Sequence, residues 1–184
     1  FKPVRFYRTS SNMATKNWNN DFMNKVLEEA AWEELSREFA WTEQLLDKYR
    51  DKVVWKGISN NYNIIWTIPM IEKFKNKINW DELSGSSNDH LFTVENLEKY
   101  KDYWNWHKLS RNSNLELTHA LLEQFAEYWD WNDIIDSYKL EELYSMEFLE
   151  KYKDYIPASS LHHSRLWNKL IEYEKKQLKI QILS

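Results

Sequence analysis

The sequence contains no cysteine, only two glycines and only three prolines in 184 residues. Without cysteine, disulfides and thiolate metal sites are excluded. So little glycine and proline argues against long β-meanders with tight turns. The longest apolar stretch, residues 64–71, is far too short to span a bilayer. We therefore expect a soluble cytoplasmic protein, whose first residue, Phe1 rather than Met, is typical of a fragment or a processed product.

The charged residues are close to balanced, with 25 Lys plus Arg against 29 Asp plus Glu and a net charge of −4. Because there is neither a basic excess nor a basic stripe, we expect no nucleic-acid partner. The signs alternate along the chain, as in Glu72-Lys73, Glu98-Lys99 and Glu150-Lys151, which is typical of a solvated face. Aromatic residues are abundant, with 11 Trp and 11 Tyr, and such numbers indicate a core or a recognition surface.

A first motif, Trp-x-x-Leu/Ile-Ser, recurs along the chain at spacings of 23, 25 and 26 residues. Its copies begin at Trp32, Trp55, Trp80 and Trp106, and a degenerate copy begins at Trp131, 25 residues further on. We call these five residues the ladder tryptophans. Such a fixed period is the signature of a repeat architecture.

A second motif lies 13 residues upstream and begins with an apolar residue followed by Thr or Ser. These hydroxyl residues are Thr42, Thr67, Thr93, Thr118 and Ser145. The same offset before Trp32 leads to Asn19, a diverged first copy. After Ser145 it leads to Ala158, where the tryptophan is lost.

The spacing within each unit predicts two helices. Thr, Ser or Asn is a good helix N-cap, and the apolar residues before it and four after it form a hydrophobic staple. Counted from the cap, apolar residues recur at +4, +7 and +11, which predicts a helix of about three turns. The Trp-x-x-Leu-Ser segment predicts a second, shorter helix.

We therefore predict a single-domain all-α protein: an α-solenoid of about six helix–short helix repeats of 23–27 residues. The repeats span residues 18–161. Residues 1–17 form a lead-in without repeat signature. Residues 162–184 form a C-terminal capping helix, because residues 166–180 have the pattern of one longer amphipathic helix.

The segment Trp-Asn-Trp-x-x-Leu-Ser-Arg-Asn at residues 104–112 resembles a known repeat pattern. This pattern is Trp-x-Trp-x-x-Leu-Ser-x-Asn followed by Trp-Thr-x-x-Leu-Ile-Glu-Lys-Tyr-Lys-Asp. It belongs to uncharacterised tryptophan-rich tandem helical-repeat proteins of bacteria, phages and large DNA viruses. The resemblance covers residues 18–161 and implies the repeat fold. It implies no activity, because the family has no established common one.

Most aromatic and titratable residues fit structural roles. Ten of the 11 tryptophans occupy repeat positions in which other copies carry apolar residues, so we interpret them as core. We interpret all five histidines as surface residues: His90, His107, His119, His162 and His163. Asp130, Asp133 and Asp136, at i, i+3 and i+6, are interpreted as a polar turn, although their spacing also allows a cluster on one face.

The repeated serines, Ser36, Ser59, Ser84 and Ser110, lack an evident base and are interpreted as hydrogen-bonding residues of the short helix. We predict no catalytic, cofactor-binding or metal-binding residue, hence no enzyme. The favoured function is a scaffold that binds a protein or peptide partner through its solenoid surface.

Two alternative functions stay open. The first is a carbohydrate-binding or surface protein that uses exposed aromatics, namely Tyr62, Tyr103, Tyr128, Tyr138 and Tyr155. The second is a phage or host-defence component that acts by steric binding, and it rests only on the resemblance. The sequence assigns neither the partner-binding face nor the oligomeric state.

Overall fold

The computed structural model describes residues 20–184, which form helices and turns without any β-strand. The predicted all-α class is confirmed, while the lead-in over residues 1–17, Trp18 and the predicted cap Asn19 lie outside the described residues. The helices are α1 (Asn20–Glu38), α2 (Glu43–Tyr49), α3 (Trp55–Asn60), α4 (Ile68–Phe74), α5 (Trp80–Ser84), α6 (Val94–Lys99), α7 (Trp106–Arg111), α8 (His119–Gln124), α9 (Trp131–Ile135), α10 (Met146–Tyr152), α11 (Ala158–Leu161) and α12 (Arg165–Leu183).

The short helices stack on one another in chain order. Helix α1 packs on α3, α3 on α5, α5 on α7, α7 on α9 and α9 on α11. The capped helices alternate with them along the chain from α2 onwards, so every unit after the first contributes one helix of each kind. This serial packing, in which a unit contacts its neighbours, defines a solenoid.

The hydroxyl residues predicted as caps do cap their helices. Each side-chain oxygen accepts a hydrogen bond from the backbone N–H three residues later, at Thr42, Thr67, Thr93, Thr118 and Ser145. The helices that follow have six or seven residues, about two turns rather than the predicted three. The apolar spacing continues to +11 because that residue's N–H still donates to the carbonyl at +7, as from Val53 to Tyr49 (3.1 Å).

The ladder tryptophans close the C-terminal ends of the capped helices. The indole N–H donates to the carbonyl five residues earlier at 2.7–2.9 Å, in Trp55, Trp80, Trp106 and Trp131. Carbonyls at a helix end have no partner within the helix, so the indole supplies one. Each ladder ring also packs on an aromatic ring of the next unit at 4.8–5.5 Å between centroids.

The prediction that the tryptophans are core is confirmed for five of them and only partly for the ladder. Buried tryptophans are Trp41, Trp66, Trp104, Trp129 and Trp131. The remaining ladder residues, Trp32, Trp55, Trp80 and Trp106, are half-buried and pack against the core. These four rings are half-buried because each lies between two units at the outer edge of the stack, with one side towards solvent.

The first unit differs from the prediction of two helices. Helix α1 runs without a break from Asn20 to Glu38 and contains Trp32 and Ser36. Three later units place Asn79, Asn105 or Asp130 before the ladder tryptophan as an N-cap, whereas the first unit has Ala31, which offers no capping oxygen. A missing cap alone does not join the helices, because α3 begins after Val54 without a side-chain cap. The first unit also carries strong helix formers, Leu-Glu-Glu-Ala-Ala at residues 27–31, where the other units turn.

The repeated serines link consecutive units. Each hydroxyl donates to the carbonyl four residues earlier (2.6–2.7 Å) and accepts the backbone N–H of the residue that precedes the next short helix (2.8–2.9 Å). The acceptor serines are Ser36, Ser59, Ser84 and Ser110, and the donors are Val54, Asn79, Asn105 and Asp130. All four serines are buried. We call this arrangement the serine relay.

The relay stops at the last junction, where both partners change together. Ile135 stands in the serine position and Pro157 in the position of the donor. Proline has no backbone N–H, so no acceptor is needed, and Ile135 is fully buried instead.

Helix α12 occupies the region of the predicted longer helix and extends beyond it at both ends. Its first turns are anchored by the buried Leu166 and Leu170, while most of its later residues are exposed. Within residues 20–184, no helix is both long and apolar enough to cross a membrane.

We predict that Ser84→Ala destabilises the protein by about 1–3 kcal/mol, because the buried N–H of Asn105 loses its acceptor. Urea unfolding followed by circular dichroism measures the effect. The control is Ser87→Ala, at an exposed serine in the following turn, which should change stability by less than about 0.5 kcal/mol. Equal effects of the two changes would contradict the relay.

Candidate functional site

The exposed edge of the short-helix stack carries polar residues that differ from unit to unit. Two positions matter, +14 and +15 from the cap, in the first turn of each short helix. Position +14 of one unit meets position +15 of the next in the pairs Lys56–Glu82 (3.6 Å), Asp81–Lys108 (2.6 Å), His107–Asp133 (3.4 Å) and Asn132–Ser160 (2.5 Å). The edge therefore carries one matched polar pair at each of these junctions, and we call this series of pairs the polar ladder.

One junction of this ladder gathers three potential metal ligands. His107 Nδ1 lies 2.6 Å from Asp130 Oδ2 and 3.4 Å from Asp133 Oδ2. Arg111 belongs to the same group, because its Nε lies 3.4 Å from Asp133 Oδ1. Helix α7 supplies the two basic residues, and Asp130 is the N-cap of α9. The ligand atoms of His107 and the two aspartates lie within 4.8 Å of one another.

The two aspartates have opposite electrostatic environments. Burial raises the pKa of the Asp130 carboxyl, but hydrogen bonds from His107 and Asn132 outweigh it and leave the pKa lowered. Burial raises the pKa of Asp133, and the attraction of Arg111 does not offset it. The buried Oδ2 of Asp133 also makes no hydrogen bond of normal geometry.

The donor set of one imidazole and two carboxylates suits a divalent cation such as Zn²⁺. Two observations favour an ionic cluster within the protein instead. The guanidinium of Arg111 already places a positive charge beside Asp133. The preceding junction uses the same repeat positions with the charges reversed, because Asp81 there bonds Asn105 and Lys108. The cluster is thus one member of the polar ladder.

The other histidines stand apart from this group. His90 Nε2 lies 2.9 Å from the carbonyl oxygen of Trp66, so its ring connects two units. His162 packs edge-on against Trp167 with 4.7 Å between ring centroids. His119 and His163 are exposed. Asp136 accepts the backbone N–H of Arg165 and does not join the cluster.

A cavity of about 380 Å³ opens on the same edge, at the first junction, where the polar ladder lacks a pair. Gly57 stands at position +15 and has no side chain to meet Glu33. Its neighbour α1 packs so closely that an added Cβ would lie 3.0 Å from Arg37 Cγ. Glu33 bonds Arg37 of its own helix instead. The exposed Tyr62 forms part of the cavity wall.

A second opening of about 350 Å³ lies between α10 and α12. Its wall is mainly apolar, with Met146 and Tyr144 on one side and Leu170 and Tyr173 on the other. Met146 and Tyr173 are each 59% exposed, far more than core residues of the repeats. This groove, lined by Tyr144, Met146, Leu170 and Tyr173 together with the polar Ser145, Glu147 and Lys169, is called the C-terminal groove.

The tyrosines considered for carbohydrate binding fall into two groups. Tyr103, Tyr128 and Tyr155 pack on the ladder residues Trp80, Trp106 and Trp131 at 4.9, 4.9 and 5.7 Å. They are 38–41% exposed and recur once per unit. Tyr62 and Tyr138 are more exposed and have no recorded ring partner within the described range.

The sequence interpretation missed the His107 cluster. It treated His107 as an isolated surface residue and the three aspartates as a turn, whereas two of them join His107. The spacing of these residues could have predicted the cluster, because Asp130 and Asp133 follow His107 by 23 and 26 residues, close to one repeat period. The serines were interpreted correctly as hydrogen-bonding residues, but their partners in the next unit were not predicted.

We predict that Asp133→Asn stabilises the protein slightly at pH 7. The folded-state pKa is raised, so the ionised carboxyl costs stability once the pH has risen through that pKa. The gain should vanish in acid, where wild-type Asp133 is protonated in both states. Thermal unfolding from pH 3 to pH 8, with Ser87→Ala as control, measures it. If Zn²⁺ raised the melting temperature of the wild type but not of Asp133→Asn, the cluster would be a cation site.

Comparison with known proteins assigns no function to this site. No family model, no curated protein and no solved structure matches the chain.

Proposed function

We propose that the protein is a non-enzymatic scaffold that binds a protein partner through the C-terminal groove and the adjoining face of α12. The observation that carries the proposal is an apolar stripe that begins buried and continues exposed. Leu166 and Leu170 anchor it in the core, Tyr173 follows one turn later at 59% exposure, and Ile180 follows two turns after Tyr173 at 62% exposure, beyond the half-buried Gln177.

The charges beside this stripe indicate the chemistry of the partner. Lys169 and Lys176 share the side of α12 that carries Tyr173 and Ile180, because the four residues are spaced by four, three and four. Among residues 20–184, no carboxylate lies within 4.0 Å of either lysine. A complementary partner is an amphipathic helix with acidic residues beside its apolar face, which would dock as a helix in a groove.

The environment of the hydroxyl groups supports a non-enzymatic role. In the serine relay each oxygen both donates and accepts a backbone hydrogen bond in a buried position, so it is not available to attack a substrate. His107, the imidazole closest to carboxylates, is held between two aspartates and Arg111, with no nucleophile among its recorded contacts.

The proposal predicts that Tyr173→Ser with Ile180→Ser reduces partner recovery at least about tenfold, since truncation of central apolar anchors costs binding energy. Wild type and variant are used to capture partners from native lysate. Cross-linking with mass spectrometry then identifies species attached to α12.

The matched control is Tyr62→Ser with Ile65→Ser. It removes the same two residue types at 73% and 78% exposure, in an earlier repeat. Both variants should keep the wild-type circular dichroism spectrum. Equal recovery with wild type and with the α12 variant would reject this binding surface.

A carbohydrate partner is a second candidate, favoured by the regular row of half-exposed tyrosines Tyr103, Tyr128 and Tyr155. Such a row offers one flat apolar surface per unit. If it binds glycans, Tyr103→Ala with Tyr128→Ala should abolish glycan-array signal without loss of fold. A glycan signal that survives this double change would reject the row as the site.

A further inference from the structure

The two 19-residue helices at opposite ends of the described chain have opposite charge. Helix α1 carries six acidic and two basic residues, whereas α12 carries five basic and two acidic residues. The chain as a whole is almost balanced, with a net charge of −4. The two ends of the solenoid are thus electrostatic complements.

The exposed part of α1 has the chemistry that the C-terminal groove requires. Val26 and Leu27 are 41% and 61% exposed, and Ala30, one turn later, is exposed as well. Glu29 and Glu34 flank this apolar strip at helical spacing. Glu29 has only a distant ion pair, at 4.0 Å from Lys25, and Glu34 has no basic group within 4.0 Å among residues 20–184.

We propose that the partner of the C-terminal groove is a second copy of this chain, which docks the acidic apolar face of its α1 against the basic apolar face of α12. The strip Val26, Leu27 and Ala30 would cover Tyr173 and Ile180. Glu29 and Glu34 would lie against Lys169 and Lys176. This inference rests on the proposed function of the groove and specifies its occupant.

The contact joins different surfaces of two identical chains, so it is heterologous. Each bound pair keeps one unused α1 face and one unused α12 face, on different copies, so a further copy can add at either end. The expected assembly is an open chain of solenoids whose mass increases with concentration. A symmetric dimer through two α12 helices is less favourable, because it brings two basic faces together.

Sedimentation velocity of the full chain tests the proposal. The weight-average mass should rise continuously above the monomer mass of 22.6 kDa as concentration increases. Raising NaCl from about 0.05 M to about 1 M should weaken association, because the screening length falls to roughly 3 Å. A wild-type chain that stays monomeric at all concentrations would overturn the proposal.

Charge reversals identify the two faces. Lys169→Glu with Lys176→Glu should weaken association at least about tenfold, and so should Glu29→Lys with Glu34→Lys. A mixture of the two variants should associate again, because the unchanged α1 of one variant meets the unchanged α12 of the other, and the two reversed faces are also complementary. The control is Lys175→Glu, which lies on the other side of α12 from Tyr173 and Ile180 and should leave association unchanged, whereas Lys176→Glu alone should weaken it.

Three results would overturn this inference, and each can be told apart from a failure of the proposed function. A closed dimer insensitive to the α1 reversal indicates α12–α12 pairing. Mixed variants that stay monomeric, although both are folded by circular dichroism, exclude the docking of α1 on α12. Partner capture that needs Tyr173 and Ile180 while the wild type stays monomeric leaves the scaffold function intact and rejects only the second copy as partner.

Discussion

The hydrogen bond that the serine of a short helix accepts from the chain entering the next one sets the geometry of the first four junctions of the stack. In the second junction, Ser59 Oγ accepts the N–H of Asn79 at 2.8 Å while it donates to Trp55. The accepting serine is buried and the bond is directional, so it fixes both the distance and the rotation between neighbouring units. The ring stacking of the ladder tryptophans and the polar pairs at +14 and +15 require that same placement. The apolar contacts supply stability, and the serine relay specifies register.

The repeat pattern predicted much of the fold because its signals are local. A hydroxyl cap, a staple and apolar spacing all act within a dozen residues, so the five capped helices began at the expected positions. The predicted helix boundaries were wrong where residues outside this local pattern determine where a helix ends. The capped helices end early because the ladder indole takes a C-terminal carbonyl, as Trp80 does from Lys75. The first unit is continuous because Ala31 provides no cap and residues 27–31, Leu-Glu-Glu-Ala-Ala, are strong helix formers.

The candidate sites were harder to predict because they form between units or at their ends. The His107 cluster needs the offset between consecutive short helices, which a period of 23–26 residues limits but does not specify. The C-terminal groove depends on where α12 leaves the stack. Amphipathic spacing alone gives Leu170 and Tyr173 the same character, although Leu170 is buried and Tyr173 is exposed.

Two asparagines reinforce the serine relay at alternate junctions. Asn61 Nδ2 donates to the carbonyls of Ser36 and Phe39, and Asn112 Nδ2 donates to those of Ser84 and Ser86. Both side chains are buried within the stack. Because each such amide serves two carbonyls of an earlier unit, the junctions resist sliding as well as separation.

The paired change at Ile135 and Pro157 bears on how such an array can evolve. Duplication of a central unit copies a serine together with a donor, so the longer array keeps every junction matched. A unit with the ordinary polar entry, inserted after Ile135, would bury an N–H without an acceptor, which costs about 1–3 kcal/mol. Growth by duplication is therefore tolerated in the interior and penalised at this end, and the number of units can change without loss of the terminal cap.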